Sequence, residues 1–428
     1  MSSGKRSVAR VVHDGWSNLL SGFGTSHDAG RYNTVTSSIG INQSLADRLY
    51  RADGIGRRII DIPAEDMTRE WVEVKGDDGA ERIKQLADIN AKPKVNQALR
   101  WSGLYGGAVI VMGIDDGGVL EQPVNENRIR GLTFLRVYDR WRVNWSSTDL
   151  YSDPKSPKYG EPEFVTITPL TGGSFRVHES RLLWFDGEDV PDQIRVNNNG
   201  WGDSRLQPVF DGLGRYAEAM GGASNIIRDF VTPVLGMKNL SDMIAGGQEA
   251  VVKSRLEILG LSQSMLNIRL IDADLESYTK QSSTCTGIDD LFEEFKHYLS
   301  ALCGIPQTKL FGRSPGGENA TGESDIRNWY DTISAEQETK MLPAVQRLVY
   351  LLDLAAGGEP ENREVVCRPL WQPSSVEKAE TLSKVSPALV QLVDYAIISG
   401  EAAQDILRGL GFEPGDIDPA INTPSMNE

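Results

Sequence analysis

Four histidines (His13, His27, His178 and His297) and three cysteines (Cys285, Cys303 and Cys367) are the side chains here best suited to hold a transition metal or attack an electrophile. Their spacing supports neither role. No H-E-x-x-H, H-x-H or C-x-x-C pattern occurs, so no zinc centre is expected. A G-x-x-x-x-G-K-[ST] loop is missing, which excludes a P-loop ATPase, and so is a G-x-S-x-G elbow. The densest carboxylate group, Asp289, Asp290, Glu293 and Glu294, offers the oxygen ligands that a hard divalent cation takes. Its i, i+1, i+4, i+5 spacing is better explained as the solvated side of a helix. Gly106 and Gly107 precede an apolar run, whereas a phosphate loop follows a strand and opens a helix. Neither metal nor cofactor is expected.

Composition narrows the class further. The formal charge is −16, with 60 acidic against 44 basic residues, which argues against a nonspecific nucleic-acid binder working by counterion release. Any DNA the protein meets should be passed and not gripped. At 428 residues and 39% apolar content, the chain can bury one large core or two to three smaller ones. The odd cysteine number and its spacing point to free thiols and a reducing compartment. No apolar run approaches the ~18 residues a membrane span needs, and the first residues lack an apolar signal core, so a soluble, membrane-free protein is expected.

The elements that must position any functional group are clearest from Gly287 to Asp353. Ile288, Leu291, Phe292, Phe295, Tyr298, Leu299 and Leu302 recur at helical spacing, and Gly304 and Pro306 stop that helix. Gln307 to Gly322 carries four glycines and a proline and reads as irregular, either a long loop with a purpose or a disordered one. Thr321 or Ser324 can then cap a helix of about 30 residues, roughly 45 Å long, that Pro343 should kink. This succession suits a mechanical part better than a catalytic one.

That stretch, GIDDLFEEFKHYLSALCGIPQTKLFGRSPGGENATGESDIRNWYDTISAEQETKMLPAVQRL, resembles the core of tailed-bacteriophage portal proteins, in the branch carrying G-I-P, L-F-G-x-S-P and N-A-T-G-E. The likeness is specific there and weaker, though collinear, from about Leu45 to Leu410. It implies an α+β portal fold: a mixed α/β wing, a two-helix stem, a small α/β clip, a long kinked helix and a helical crown-side region. The implied divisions are a flexible N-terminal arm over 1–44, wing over 45–203, stem helix over 204–231, clip over 232–281 and second stem helix over 286–304. A tunnel loop over 305–322 follows, then the long kinked helix and second part of the wing over 323–371, crown-side helices over 372–410 and a flexible tail over 411–428. By resemblance, Lys309, Arg313, Ser314 and Asn319 lie on the DNA-facing tunnel loop, Gly304, Pro306 and Gly322 bound it, and Asp289, Asp290, Glu293 and Glu294 are channel-side candidates.

The residues outside the core stretch fit that division. Residues 1–44 are polar and Ser/Gly-rich, an arm ordered by neighbours or a plain disordered tail. Ser44 to Met67 is helical in pattern and ends near Pro63, and Asp66 to Val74 alternates like a strand. Ala80 to Ser102 reads as two helices, Leu104 to Ile114 as a buried strand, and Leu132–Trp145 and Phe164–Phe185 as antiparallel strands. Six of nine tryptophans fall between Trp71 and Trp201, amid charge that is not basic, so packing explains them better than base stacking. From Arg205 to about Phe230 runs a helix that Gly212, Gly214, Gly221 and Gly222 weaken by roughly 1 kcal/mol each, so it packs closely on a neighbour or bends. Thr232 to Lys280 reads as strand, turn, helix and strand, too small for independent stability without assembly.

The resemblance implies a non-enzymatic ring of twelve subunits at one capsid vertex, present in the virion and, during assembly, in the host cytoplasm. Its implied partners are double-stranded DNA, the major capsid protein, the terminase large subunit, the head-to-tail adaptor and, as a further candidate, a scaffold protein. A minor capsid-associated structural protein without a DNA conduit is the alternative. Some chains similar to this branch also carry a cyclic-oligonucleotide phosphodiesterase with paired H-x-[ST] motifs. Only His178-Glu179-Ser180 fits one half here, and no second half exists.

Overall fold

The computed structural model describes residues 40–230, 234–254, 269–272, 288–312, 322–358, 363–371, 375–395 and 397–409. Residues 1–39 of the expected arm over 1–44, the whole expected tail over 411–428, and Arg313, Ser314, Asn319 and Cys285 lie outside them.

The chain opens with α1 (Gln43–Ala52) and α2 (Gly54–Arg69). The expected single helix is split at Asp53, whose carboxylate leaves its extended backbone to accept from the Ile55 and Gly56 amides and start α2. Pro63 does not end α2 as expected. Ile59, Ile60, Pro63, Ala64 and Met67 form one continuous buried face, and that burial outweighs a lost hydrogen bond. The expected strand over 66–74 therefore shrinks to β1 (Val72–Val74), reached through Trp71 at φ +59°.

Helices α3 (Gly79–Asp88) and α4 (Ala91–Tyr105) lead into β2 (Gly107–Ile114), every residue of which is buried. Strand β2 is the centre of an antiparallel sheet, between β3 (Leu132–Asp139) and β7 (Leu182–Asp186). A second antiparallel sheet orders β4 (Val143–Asn144), β5 (Phe164–Ile167) and β6 (Phe175–His178). One face of β2, with Ile110 and Met112, joins the main core against α4. Val109 and Val111 face a second core, where Trp145, Trp184 and Trp201 pack with ring centroids 5.3 to 5.9 Å apart. The tryptophans there are packing groups, as their charge context suggests.

After the short α5 (Asp192–Asn197), α6 spans Phe210–Phe230, starting five residues later than the sequence pattern indicates. Then β8 (Val234–Met237) pairs in parallel with β9 (Arg269–Asp272), with α7 (Leu240–Ala245), where a turn is expected, and a helical stretch over 249–254 between them. Helix α8 (Ile288–Cys303) ends at Gly304 with φ +68°.

The stretch after Pro306 is not wholly irregular. Helix α9 (Gln307–Phe311) forms there because Leu310 is buried and the Pro306 carbonyl accepts from the Lys309 and Leu310 amides. Gly312 at φ +73° ends it. Gly322, at φ +66°, caps α10 (Glu323–Glu336), in place of the expected Thr321 or Ser324. The long helix is interrupted as Pro343 requires, but upstream of it. A π-helical turn over Gln337–Met341 separates α10 from α11 (Leu342–Ala355), widening the backbone where proline cannot donate. Strand β10 (Val365–Cys367) pairs antiparallel with β1, closing the ends of the fold on each other. Helices α12 (Ser375–Asp394) and α13 (Gly400–Gly409) follow.

Candidate functional site at the roots of residues 313–321

Helices α6 and α8 touch at Gly212. A methyl group placed there would lie 2.6 Å from a Leu302 methyl and 3.2 Å from Leu299, so the absent side chain is what lets the two helices approach. Leu213 and Leu299 are buried at that contact, and Tyr216 stacks toward Phe311 at 6.4 Å. Gly214, Gly221 and Gly222 instead face open space in the protomer. On α8, Asp289, Asp290 and Glu294 are exposed, while Glu293 accepts from Lys296 at 2.8 Å and from the Gln307 amide at 2.9 Å. Three of the four carboxylates thus lie on the solvated side of the helix in the protomer, and Glu293 is engaged by its neighbours. Among the described residues, no group of three or more His, Cys, Asp or Glu side chains could hold a metal ion.

Residues 313–321 are rooted in α9 and α10, and both roots meet at Asp66 on α2. Asp66 is 6% exposed. Its Oδ2 accepts from the Trp329 indole N–H at 2.7 Å, and Lys309 Nζ lies 3.1 Å from the same oxygen. Arg69 Nη1 stands 3.6 Å from Oδ1. Arg58 donates to the Lys309 carbonyl at 2.6 Å, and Arg69 donates to the Tyr330 hydroxyl at 3.0 Å and the Leu370 carbonyl at 2.6 Å. Lys309 and Arg69 also lie over the Tyr330 ring, at 5.1 and 5.0 Å from its centroid. Lys309 is therefore part of a packed helix and engaged within the protomer.

A second charged junction holds the π-helical turn. The Gln337 side-chain amide donates to the Met67 carbonyl at 2.7 Å, and Nη2 of Arg205, just before α6, donates to both carboxylate oxygens of Glu336 at 2.7 and 2.8 Å. Glu188 accepts from Arg205 at 2.9 Å and from Lys340 at 3.1 Å. Burial works against ionisation of Glu188, but Arg205 and Lys340 outweigh it and hold its pKa below 4.5, the usual glutamate value. A carboxyl group depressed on folding stabilises fully above its unfolded pKa, and the contribution is lost as pH falls through the folded value. Stability should thus fall as pH drops below about 4.5, and Glu188→Gln should flatten that slope in denaturant titrations from pH 3 to 6.

His178 is buried. Its Nδ1 lies 2.9 Å from the Ser180 hydroxyl and 3.2 Å from the Ser180 amide, and burial pushes its pKa down. The half-motif is engaged in capping a turn at the end of β6.

Asp66 and Arg205 were not singled out by sequence reasoning. One signal was available: Asp66 lies seven residues after Ile59 on the apolar face of α2, and a carboxylate on such a face needs a buried partner.

The phage portal protein family model matches residues 45–390, and the chain belongs to that family. It is 32% identical over 386 residues to the anti-CBASS protein Acb1 of Caulobacter sp. (strain RHG1), a match that covers 86% of this chain and 61% of that protein. It is 30% identical over 432 residues to the anti-CBASS protein Acb1 of Sphingomonas paeninsulae, covering 96% and 67%. The chain thus spans only about two thirds of these relatives' length. Among solved structures, it is similar to a chain from the neck of an empty GTA particle solved with C6 symmetry. The TM-score is 0.53 at 14% identity, over 86% of this chain and 94% of that one, a likeness of fold.

Proposed function

We propose that this chain is the subunit of a portal ring, a channel at one capsid vertex through which double-stranded DNA is packaged and ejected. The observation that carries the reading is the close pair α6 and α8, followed directly by a segment whose two roots are fixed to α2. A conduit needs helices to line it and a held loop to meet what passes through. In this reading α6 and α8 form the stem, residues 313–321, with Arg313, Ser314 and Asn319, face DNA as a tunnel loop, and residues 232–281 form a clip. The clip docks the terminase large subunit and later the head-to-tail adaptor, and the wing meets the major capsid protein. Twelve copies by family resemblance close the ring, which requires a heterologous interface between unlike faces of neighbours. The net charge of −16 supports passage of DNA without strong retention.

The anti-CBASS names of the relatives raise a phosphodiesterase as a second reading. The sequence lacks a second H-x-[ST] motif, and His178 already bonds Ser180 within its own turn, which supports a non-enzymatic role for this chain.

Removing residues 313–319 should leave ring assembly intact and cut the fraction of particles that package or retain DNA. Wild-type packaging by that variant would overturn the tunnel-loop assignment. The open glycines of α6 carry another prediction. Gly221→Leu with Gly222→Leu should leave the protomer folded, since nothing lies within 4 Å of either site, yet block ring formation if a neighbouring stem packs there. Mass photometry of rings against free subunits reads this directly.

A further inference from the structure

We infer that Asp66 is a positioning residue, and that it fixes α9 and α10, the helices on either side of residues 313–321, against α2 through one carboxylate. The functional consequence rests on the tunnel-loop reading, whereas the contact itself does not. Lys309 is four residues before that segment and Trp329 eight residues after it, and both donate to the Asp66 carboxylate, Lys309 to Oδ1 at 3.2 Å and Trp329 to Oδ2 at 2.7 Å. A buried carboxylate demands such donors, because leaving it unpaired is costly, and hydrogen bonds to an ionised acceptor are about twice as strong as neutral ones. The two roots are therefore held at one point and not independently.

The neighbouring contacts reinforce the same geometry. Arg58, on α2, donates to the Lys309 carbonyl at 2.6 Å, and Arg69, at the end of α2, reaches Tyr330 on α10 at 3.0 Å. Gln337 joins the π-helical turn to α2 through the Met67 carbonyl at 2.7 Å. Helix α2 is thus a strut that receives α9, α10 and the π-helical turn within one stretch, from Arg58 to Arg69. A force on residues 313–321 would pass into α2 and the α/β layers packed on it. Lys309 acts in this assignment as a tether, and its ammonium is not a phosphate contact.

The test uses the full-length protein and two readouts. Asp66→Asn keeps the size, but loses the charge that holds Lys309 and turns the charge-assisted bond from Trp329 into a weaker neutral one. Lys309→Met removes only the α9 tether, and Lys309→Arg keeps it. Hydrogen exchange should quicken about tenfold at amides 307–312 and 323–329 in Asp66→Asn. In Lys309→Met the change should be confined to 307–312, and in Lys309→Arg it should be largely reversed. DNA retention by Lys309→Met particles should fall with salt at the wild-type slope, since no phosphate contact is lost. Unchanged exchange in both Asp66→Asn and Lys309→Met would overturn the assignment. So would a shallower salt slope for Lys309→Met with wild-type exchange, which would make Lys309 a phosphate contact. If exchange changes as expected while removal of 313–319 leaves packaging unaffected, the tunnel-loop reading fails and the positioning role of Asp66 stands.

Discussion

Asp353→Ala should destabilise the folded chain by about 3–5 kcal/mol, the range found when one partner of a buried ion pair is removed. Asp353 is fully buried near the end of α11. Its Oδ1 accepts from Arg82 Nε at 2.7 Å, and Arg363 Nε lies 2.8 Å from Oδ2. Arg82 on α3 is itself only 5% exposed at its side chain, so deleting the carboxylate strands a guanidinium away from water with only Gln85 as a side-chain partner, at 3.0 Å. Arg363 is less buried and can turn to Asp78, 3.8 Å away. The cost therefore falls mainly on Arg82. The double variant Arg82→Met, Asp353→Leu should recover most of the loss, because replacing both charges by apolar groups is often neutral or better. Urea midpoints of the single and double variants check this; equal destabilisation in both would show that packing volume matters and charge pairing does not.

Gly106→Ala should cost about 2–5 kcal/mol, the sum of left-handed strain and overpacking. Gly106 ends α4 at φ +87° and turns the chain into β2. A methyl group there would lie 2.4 Å from the Gly202 carbonyl oxygen and 3.0 Å from the Asp203 carbonyl carbon, both backbone atoms that cannot swing aside. The Gly187 amide donates to the Gly106 carbonyl at 3.2 Å, and Glu188 and Asp203 exchange backbone hydrogen bonds at 2.9 and 3.0 Å beside it. Shifting Gly106 would disturb the segment that carries Glu188 and Arg205. Gly117 has φ +77° with nothing within 4 Å, so Gly117→Ala carries the strain alone and should cost only about 1–2 kcal/mol. Comparable losses in the two variants would refute the close-approach argument.

The parts of this fold that announce themselves in sequence are those whose burial follows one period. Helix α8 and strand β2 are legible because an apolar stripe or run is bounded on one side by glycine or proline signals. Elements whose reason lies elsewhere are not. Helix α9 sits in a glycine-rich stretch and is recognisable only once Leu310 is seen to be buried; α7 is short, and Leu240 is its one buried residue. Pro343 signals an interruption, yet the π-helical turn lies two to six residues upstream of it, where Gln337 reaches Met67, 270 residues away in the chain. Distance in sequence likewise hides the site. Asp66 and Trp329 are 263 residues apart, and Arg82 and Asp353 are 271 apart, so no local spacing could pair them. The family motif draws attention to this stretch, but it does not show that Lys309 sits in a helix, paired with a carboxylate 243 residues away in the chain.

On the proposed function, copies of this chain form an open ring. Electron microscopy of particles assembled with the full-length protein tests it most directly, by locating the chain, counting subunits and looking for an axial hole. The expected result is a single vertex occupied by a ring of about twelve subunits with an open channel. Copies scattered over the shell, or a closed oligomer with no axial opening, would contradict it.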